Sequence, residues 1–225
     1  MGVSHFVAST MSRIFLLISD PFLAGRMRTV LNAAPNLVVA GWATTIAQAA
    51  DTLPTVQPDL VIADLELADG PFTGFITELV HSSAYGRPQS MVVAQAIDEP
   101  GLMEALHQGT DGYFVASRSS RQLVLTVEQV LAGESPMAAE IAREVMAHFE
   151  ALTWDQSDYL GKAQSPLQPT PEERKLLQLL AAGQTVEHIA HGLRTTERAI
   201  GQAIRKVYRK LRFDTRAGTL SLQLL

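Results

Sequence analysis

Five short aliphatic runs recur through the first half of the chain, and they constrain its fold more than any other feature. They fall at residues 14–18, 37–40, 60–63, 91–94 and 113–115. Near-continuous Val, Ile and Leu without polar alternation marks strands buried on both faces, as in a parallel sheet. The stretches between and after them (residues 21–34, 44–53, 72–83, 99–108 and 119–131) carry apolar residues at helical spacing. Pro21 suits a first helical turn, and Asp98 reads as the N-cap of the fourth helix. Strand–helix units in this succession predict an α/β unit with a five-stranded, doubly wound parallel sheet and helices on both faces. Ligand chemistry in such sheets sits at the carboxyl ends of the strands. Asp20 follows the first run there and Asp64 ends the third. Paired carboxylates without His or Cys suit a hard, oxygen-coordinated ion such as Mg²⁺, and Asp64 could act as a nucleophile toward a phosphoryl group. The plainer alternative is a pair of loop aspartates that bond local backbone N–H groups.

The last third of the chain follows a different period. In residues 185–212, Val186, Ile189, Ala190 and Leu193 form one helical face, and Ile200, Ile204, Val207 and Leu211 form another. Arg194, Thr195 and Thr196 interrupt the pattern, and either Thr can cap the second helix. With successive residues about 100° apart, Arg198, Gln202, Arg205 and Arg209 form a stripe opposite the aliphatic face. Such a helix suits a DNA major groove, where Arg reaches phosphates or guanine edges and Gln pairs with adenine. An amphipathic surface helix with a solvated basic face is the competing reading, and the preceding helix and turn weigh against it. Upstream, Thr170, Pro171 and Glu173 form a capping box with Pro at the first helical position. Leu176, Leu177, Leu179 and Leu180 supply a buried face, and Gly183 ends that helix. Residues 138–150 read as a helix and 153–168 as a linker containing Trp154 and Tyr159, aromatics that could pack at a domain interface.

The net charge of −5 conceals an asymmetry. Residues 165–225 carry ten Lys/Arg against five Asp/Glu, and the rest carries eight against eighteen, so the two parts stand at +5 and −10. An acidic regulatory unit joined to a basic nucleic-acid module accounts for that split. The absence of cysteine excludes disulfide frameworks, thiolate zinc sites and cysteine nucleophiles. No apolar run is long enough for a membrane span, no signal-peptide pattern is present, and a cytoplasmic protein is expected. His188 and His191, at i and i+3, lack the company of a zinc site. No Gly-rich phosphate loop or nucleophile elbow points to an enzyme.

FLLISDP, PDLVIADLELADG and ALHQGTDGYF, with a helix ending in VLAGE, resemble the receiver domain of two-component response regulators across residues 13–134. The resemblance implies that Asp64 is the phospho-acceptor position, that Asp20 and Asp64 belong to a Mg²⁺ site, and that Tyr113 is the aromatic switch position. The chain departs from the pattern at several points. Ser19 replaces one of the acidic pair, Ala94 or Gln95 stands where a Ser or Thr is usual, Ala116 replaces the lysine, and Ala68 replaces a proline. Transfer of a phosphoryl group relies on metal and donor positioning, so these losses predict a receiver that is phosphorylated weakly or not at all. Residues 169–225 resemble the LuxR-type helix-turn-helix domain through Thr170–Pro171 with Glu173, Gly183, Ile189–Ala190 and Lys210–Leu211. There Gly201 and Ala203 replace the family's usual Lys and His.

These readings together predict an extension (1–12), a receiver-like domain (13–134), a helix and linker (135–168) and an all-α, four-helix DNA-binding domain (169–225) whose last helix covers residues 216–225. The candidate DNA contacts are Thr195, Thr196, Arg198, Gln202, Arg205, Lys206 and Arg209. The expected function is a DNA-binding transcription regulator acting as a homodimer, with a sensor kinase or another regulatory partner. A conventional phosphorylation-switched regulator and an interaction module without DNA output are the alternatives.

Overall fold

The computed structural model describes residues 11–156 and 168–222. Five parallel strands form the expected sheet in the order β2-β1-β3-β6-β7. They are β1 (Ser12–Leu17), β2 (Leu37–Ala43), β3 (Leu60–Asp64), β6 (Gln89–Ala94) and β7 (Gly112–Val115). A small antiparallel pair, β4 (Glu66–Leu67) and β5 (Gly70–Pro71), follows β3. It occupies the stretch just after Asp64.

Helices cover both faces, and alternation along β1 shows how. Ile14, Leu16 and Ile18 pack with α1 (Pro21–Asn32) and α5 (Ser120–Leu131), while Phe15 and Leu17 face α2 (Ile46–Val56), α3 (Phe72–His81) and α4 (Leu102–Gln108). All five of these side chains are buried, which explains why the run has no polar residue. The Asp98 cap is corrected: α4 starts at Leu102, and its N-cap is Gly101 at φ +91°, a left-handed conformation that suits glycine.

Among the described residues, four helices follow: α6 (Ala139–Gln156), α7 (Pro171–Ala181), α8 (Val186–Gly192) and α9 (Glu197–Leu222). Thr170 and Glu173 form the anticipated capping box at α7. Lys210 ties α9 to that box, with its Nζ 2.6 Å from Glu173 Oε2. The last helix differs from expectation. Where a separate helix over 216–225 was anticipated, α9 runs without a break through Leu222, and α6 packs on α7 to supply a fourth member. The side chain of Trp154 and all of Tyr159 lie outside the described residues.

The helical unit is not a separate body. One continuous apolar cluster runs from Phe15, Val92 and Leu106 through Ile141 and Val145 to Leu176, Ile204 and Val207. Helix α9 lies against α4 as well as against α8. The core therefore crosses the boundary drawn at residues 134 and 135.

Candidate functional site

Two regions hold the residues singled out in the sequence: a cleft at the carboxyl ends of the strands and the surface of α9. In the first, Asp64 ends β3 and Asp20 follows β1, and both line a cleft of about 420 Å³ with Ser19, Arg26, Gln95 and Ala116. Asp64 Oδ2 accepts the Ser19 backbone N–H at 2.7 Å. Asp20 Oδ1 accepts the Phe22 N–H at 2.9 Å and caps α1. Each carboxylate thus already serves a local backbone donor. Burial pushes the Asp64 carboxyl above its ordinary value, opposed by hydrogen bonds from Ser19.

The rest of the cleft lacks the groups that phosphoryl chemistry needs. Ala94 closes β6, and its carbonyl accepts the Ala116 N–H at 2.8 Å. The Gln95 N–H is held by Glu99. Neither a hydroxyl nor an ammonium reaches the cleft from the two positions where the resemblance places them. Among the described residues, no three His, Cys, Asp or Glu side chains converge in a way that could hold a metal ion. Asp20 and Asp64 are the two carboxylates in the cleft's described lining, and each already accepts a backbone N–H. A further carboxylate, Asp69, accepts the N–H groups of Ile46 and Ala47 at 2.9 Å each and anchors the start of α2. It has no sequence signal, because its partners lie more than twenty positions away.

Tyr113, the switch position, is buried in β7. Its hydroxyl accepts the Ala138 N–H at 2.7 Å, just ahead of α6. Burial raises its pKa to about 12. Its neighbours continue the same connection. Ser135 Oγ donates to the Asp111 carbonyl at 2.6 Å, the Ser135 N–H donates to the Gly201 carbonyl at 3.1 Å, and Tyr208 Oη donates to the Pro136 carbonyl at 2.8 Å. Residues 134–138 therefore strap the sheet unit to α9.

In the second region, α8 and α9 form a helix-turn-helix around Ile189, Ala190, Ile200, Ile204 and Leu211, all buried. Arg194 turns the chain between them at φ +54°. Thr196 Oγ1 accepts the Ala199 N–H at 3.1 Å, so Thr196 is the cap. Thr195, Arg198, Gln202, Lys206 and Arg209 are exposed.

Arg205 is not, which corrects its assignment to a free basic stripe. It is 8% exposed. Its Nη2 lies 2.7 Å from Asp111 Oδ1, and its Nη1 donates to the Val130 carbonyl at 3.2 Å. Asp111 in turn accepts the Ser90 N–H with its other oxygen at 3.0 Å. Burial raises the Asp111 carboxyl above its ordinary value, against the pull of Arg205, Arg209 and Arg212. Arg198 sits at the rim of this contact, 3.8 Å from Glu134.

Gly201 explains the close approach. A Cβ there would stand 2.8 Å from Glu134 Cβ, closer than packed carbon atoms tolerate. Gly112 is confined in the same way, with a Cβ meeting Val130 Cγ2 at 2.8 Å. The face of α9 that carries Gly201, Arg205 and Tyr208 is thus covered by the sheet unit, while Gln202, Lys206 and Arg209 remain open to solvent. A DNA duplex and the sheet unit cannot occupy Arg205 together.

No family model matches the chain. It is 25% identical over 206 residues to the DNA-binding transcriptional activator DevR/DosR of Mycobacterium tuberculosis, covering 92% of this chain and 91% of that protein. It is 26% identical over 202 residues to the nitrate/nitrite response regulator protein NarL of Escherichia coli, covering 89% and 90%. The fold is similar to that of an RcsB response regulator from Salmonella typhimurium, with a TM-score of 0.51 at 18% identity over 90% of this chain and 92% of that one. The sheet unit has the receiver fold, and the homologues of the whole chain are transcriptional response regulators. No helix among the described residues is long and apolar enough to cross a membrane.

Proposed function

We propose that this chain, a transcriptional response regulator by fold and homology, binds DNA through α8 and α9 and is controlled by release of α9 from its receiver rather than by an aspartyl phosphate. The observation that carries this reading is the burial of Arg205 against Asp111. A basic residue on the groove-facing side of a helix-turn-helix is held by the receiver's own carboxylate.

DNA binding then follows from separation of the two units. On release, Arg205 rejoins Arg198, Gln202 and Arg209 as a stripe for phosphates and base edges, with Lys206, Thr195 and Thr196 at its borders. A homodimer would read half-sites about one helical turn, roughly 34 Å, apart. The cytoplasm is the compartment in which such a protein meets DNA.

The acceptor cleft supports control by something other than phosphate. Asp64 is present, but Ser19 supplies no acid, Ala94 and Gln95 no hydroxyl and Ala116 no ammonium, and Asp20 is engaged as a cap. The signal would reach the receiver from a regulatory partner, and a sensor kinase remains a candidate for that role by docking rather than by transfer. The test is an electrophoretic mobility or anisotropy assay on a randomised duplex pool across a salt series. Salt-sensitive binding that selects a repeated half-site is the expected result. No binding at low ionic strength would leave the interaction module as the better reading.

A further inference from the structure

Between the receiver and α9 lies a cleft of about 270 Å³ that neither DNA binding nor the acceptor aspartate explains. Four arginines line it: Arg87 from the receiver, and Arg205, Arg209 and Arg212 from α9. Asp111 is the one carboxylate among the described residues of that lining. The site is shaped as well as charged. Gly109, at φ +109°, leaves the space through which Arg212 passes, since a Cβ there would stand 2.5 Å from Arg212 Cδ. Arg87 itself takes a left-handed backbone conformation, φ +57°, at the receiver's edge of the cleft. Arg205 is more than nine-tenths buried, and its Nε–H has no hydrogen-bond partner among the described residues, although Nη1 and Nη2 both do.

A buried guanidinium N–H without an acceptor is costly, and guanidiniums pair with phosphate oxygens through two-pronged hydrogen bonds. We propose that this cleft binds a compact, multiply charged phosphate-type anion, such as free pyrophosphate or the diphosphate of a nucleotide. The anion accepts from Arg205 Nε and from Arg87, Arg209 and Arg212, while Asp111 keeps its bond to Arg205 Nη2. Because Arg87 belongs to one unit and the other three arginines to α9, only the closed arrangement presents all four. The anion therefore stabilises closure and opposes DNA binding by linkage. That last consequence rests on the DNA-binding reading; the site itself does not.

The test is thermal unfolding and calorimetric titration of the full chain with pyrophosphate, orthophosphate and ADP, each against chloride at matched ionic strength. At about a hundredfold excess over Kd, pyrophosphate should raise the midpoint by about 5 °C, and more than orthophosphate does. A shift from ADP at least as large as that from pyrophosphate identifies a nucleotide ligand, and a smaller one identifies the free anion. Arg87→Gln and Arg212→Gln should each weaken binding at least about tenfold. Arg87 is exposed, so its variant should melt at the wild-type temperature without ligand. No shift beyond chloride, or an undiminished shift in both variants, would overturn the proposal. A parallel DNA titration separates the two readings. Anion binding without DNA binding refutes the regulator alone, and salt-sensitive DNA binding with no anion response refutes the site alone.

Discussion

Asp111 and Arg205 lie 94 positions apart in the chain, yet their side chains meet at 2.7 Å with both residues largely removed from solvent. The pair joins the loop before β7 to the middle of α9, so it reports directly on whether the two units are closed. Asp111→Asn keeps the shape and removes the charge, which leaves Arg205 buried without its counter-ion. Breaking one partner of a buried pair costs about 3 kcal/mol at the low end of the usual range, and the 22% exposure of the Asp111 side chain favours that end. The units should separate, seen as a larger radius of gyration in solution scattering. An unchanged radius would mean that the apolar contact between α4 and α9 holds the units closed without the pair.

Gly201→Ala sets two effects against each other. Alanine favours the helix by about 1 kcal/mol, but its Cβ would stand 2.8 Å from Glu134 Cβ. The expected outcome is retained or increased helical circular dichroism together with domain separation. Loss of helix content would contradict the assignment of Gly201 to the interface.

The acceptor cleft predicts a negative result with a rescue. Incubation with acetyl phosphate and Mg²⁺ should leave the intact mass unchanged, because Ser19, Ala94 and Ala116 withhold the groups that position a phosphoryl transfer. Ser19→Asp with Ala94→Thr and Ala116→Lys should gain modification at Asp64. Stoichiometric, Mg²⁺-dependent labelling of the wild-type Asp64 would sink the account of the receiver.

Alkaline pH probes the strap. The hydrogen bond to Glu78 raises Tyr85 to about 12, burial raises Tyr113 to about 12, and burial raises Tyr208 well above its ordinary value. The unfolded chain gives up these protons near 10, so above that pH it binds fewer protons than the folded chain. Stability is therefore complete below about pH 10 and falls as pH rises toward 12. Phenolate absorbance from these residues should emerge with unfolding rather than before it. A simple titration of Tyr85, Tyr113 and Tyr208 centred near 10 in the folded protein would contradict their burial and bonding.

The parts of this fold that were legible in the sequence are those whose physics is local or periodic. The buried strands announced themselves as unbroken aliphatic runs, although the run at 37–40 formed the half-buried edge strand β2, and the Thr170–Glu173 box needed only four consecutive residues. The plainer reading of Asp20, a loop aspartate bonding nearby N–H groups, needed two. Gly201 was legible only as a departure from the family's usual Lys, because the residue that requires it, Glu134, is distant in sequence. Arg205 read as part of a free stripe for the same reason: helical periodicity gives the side of α9 it occupies but not what covers that side. The Asp98 cap failed because Gly101, with its left-handed backbone, starts α4 later. The continuous α9 differed because nothing between Leu211 and Leu222 breaks the backbone ladder there.

The central claim is that the receiver withholds the DNA-facing side of α9. Its most direct test is the affinity of the full chain and of Asp111→Asn for the same duplex at low ionic strength. The account predicts that the variant binds at least about tenfold more tightly, because at least about 1.4 of the roughly 3 kcal/mol with which the pair holds the closed form no longer opposes binding. Equal affinities, with both proteins showing the same salt dependence, would contradict it.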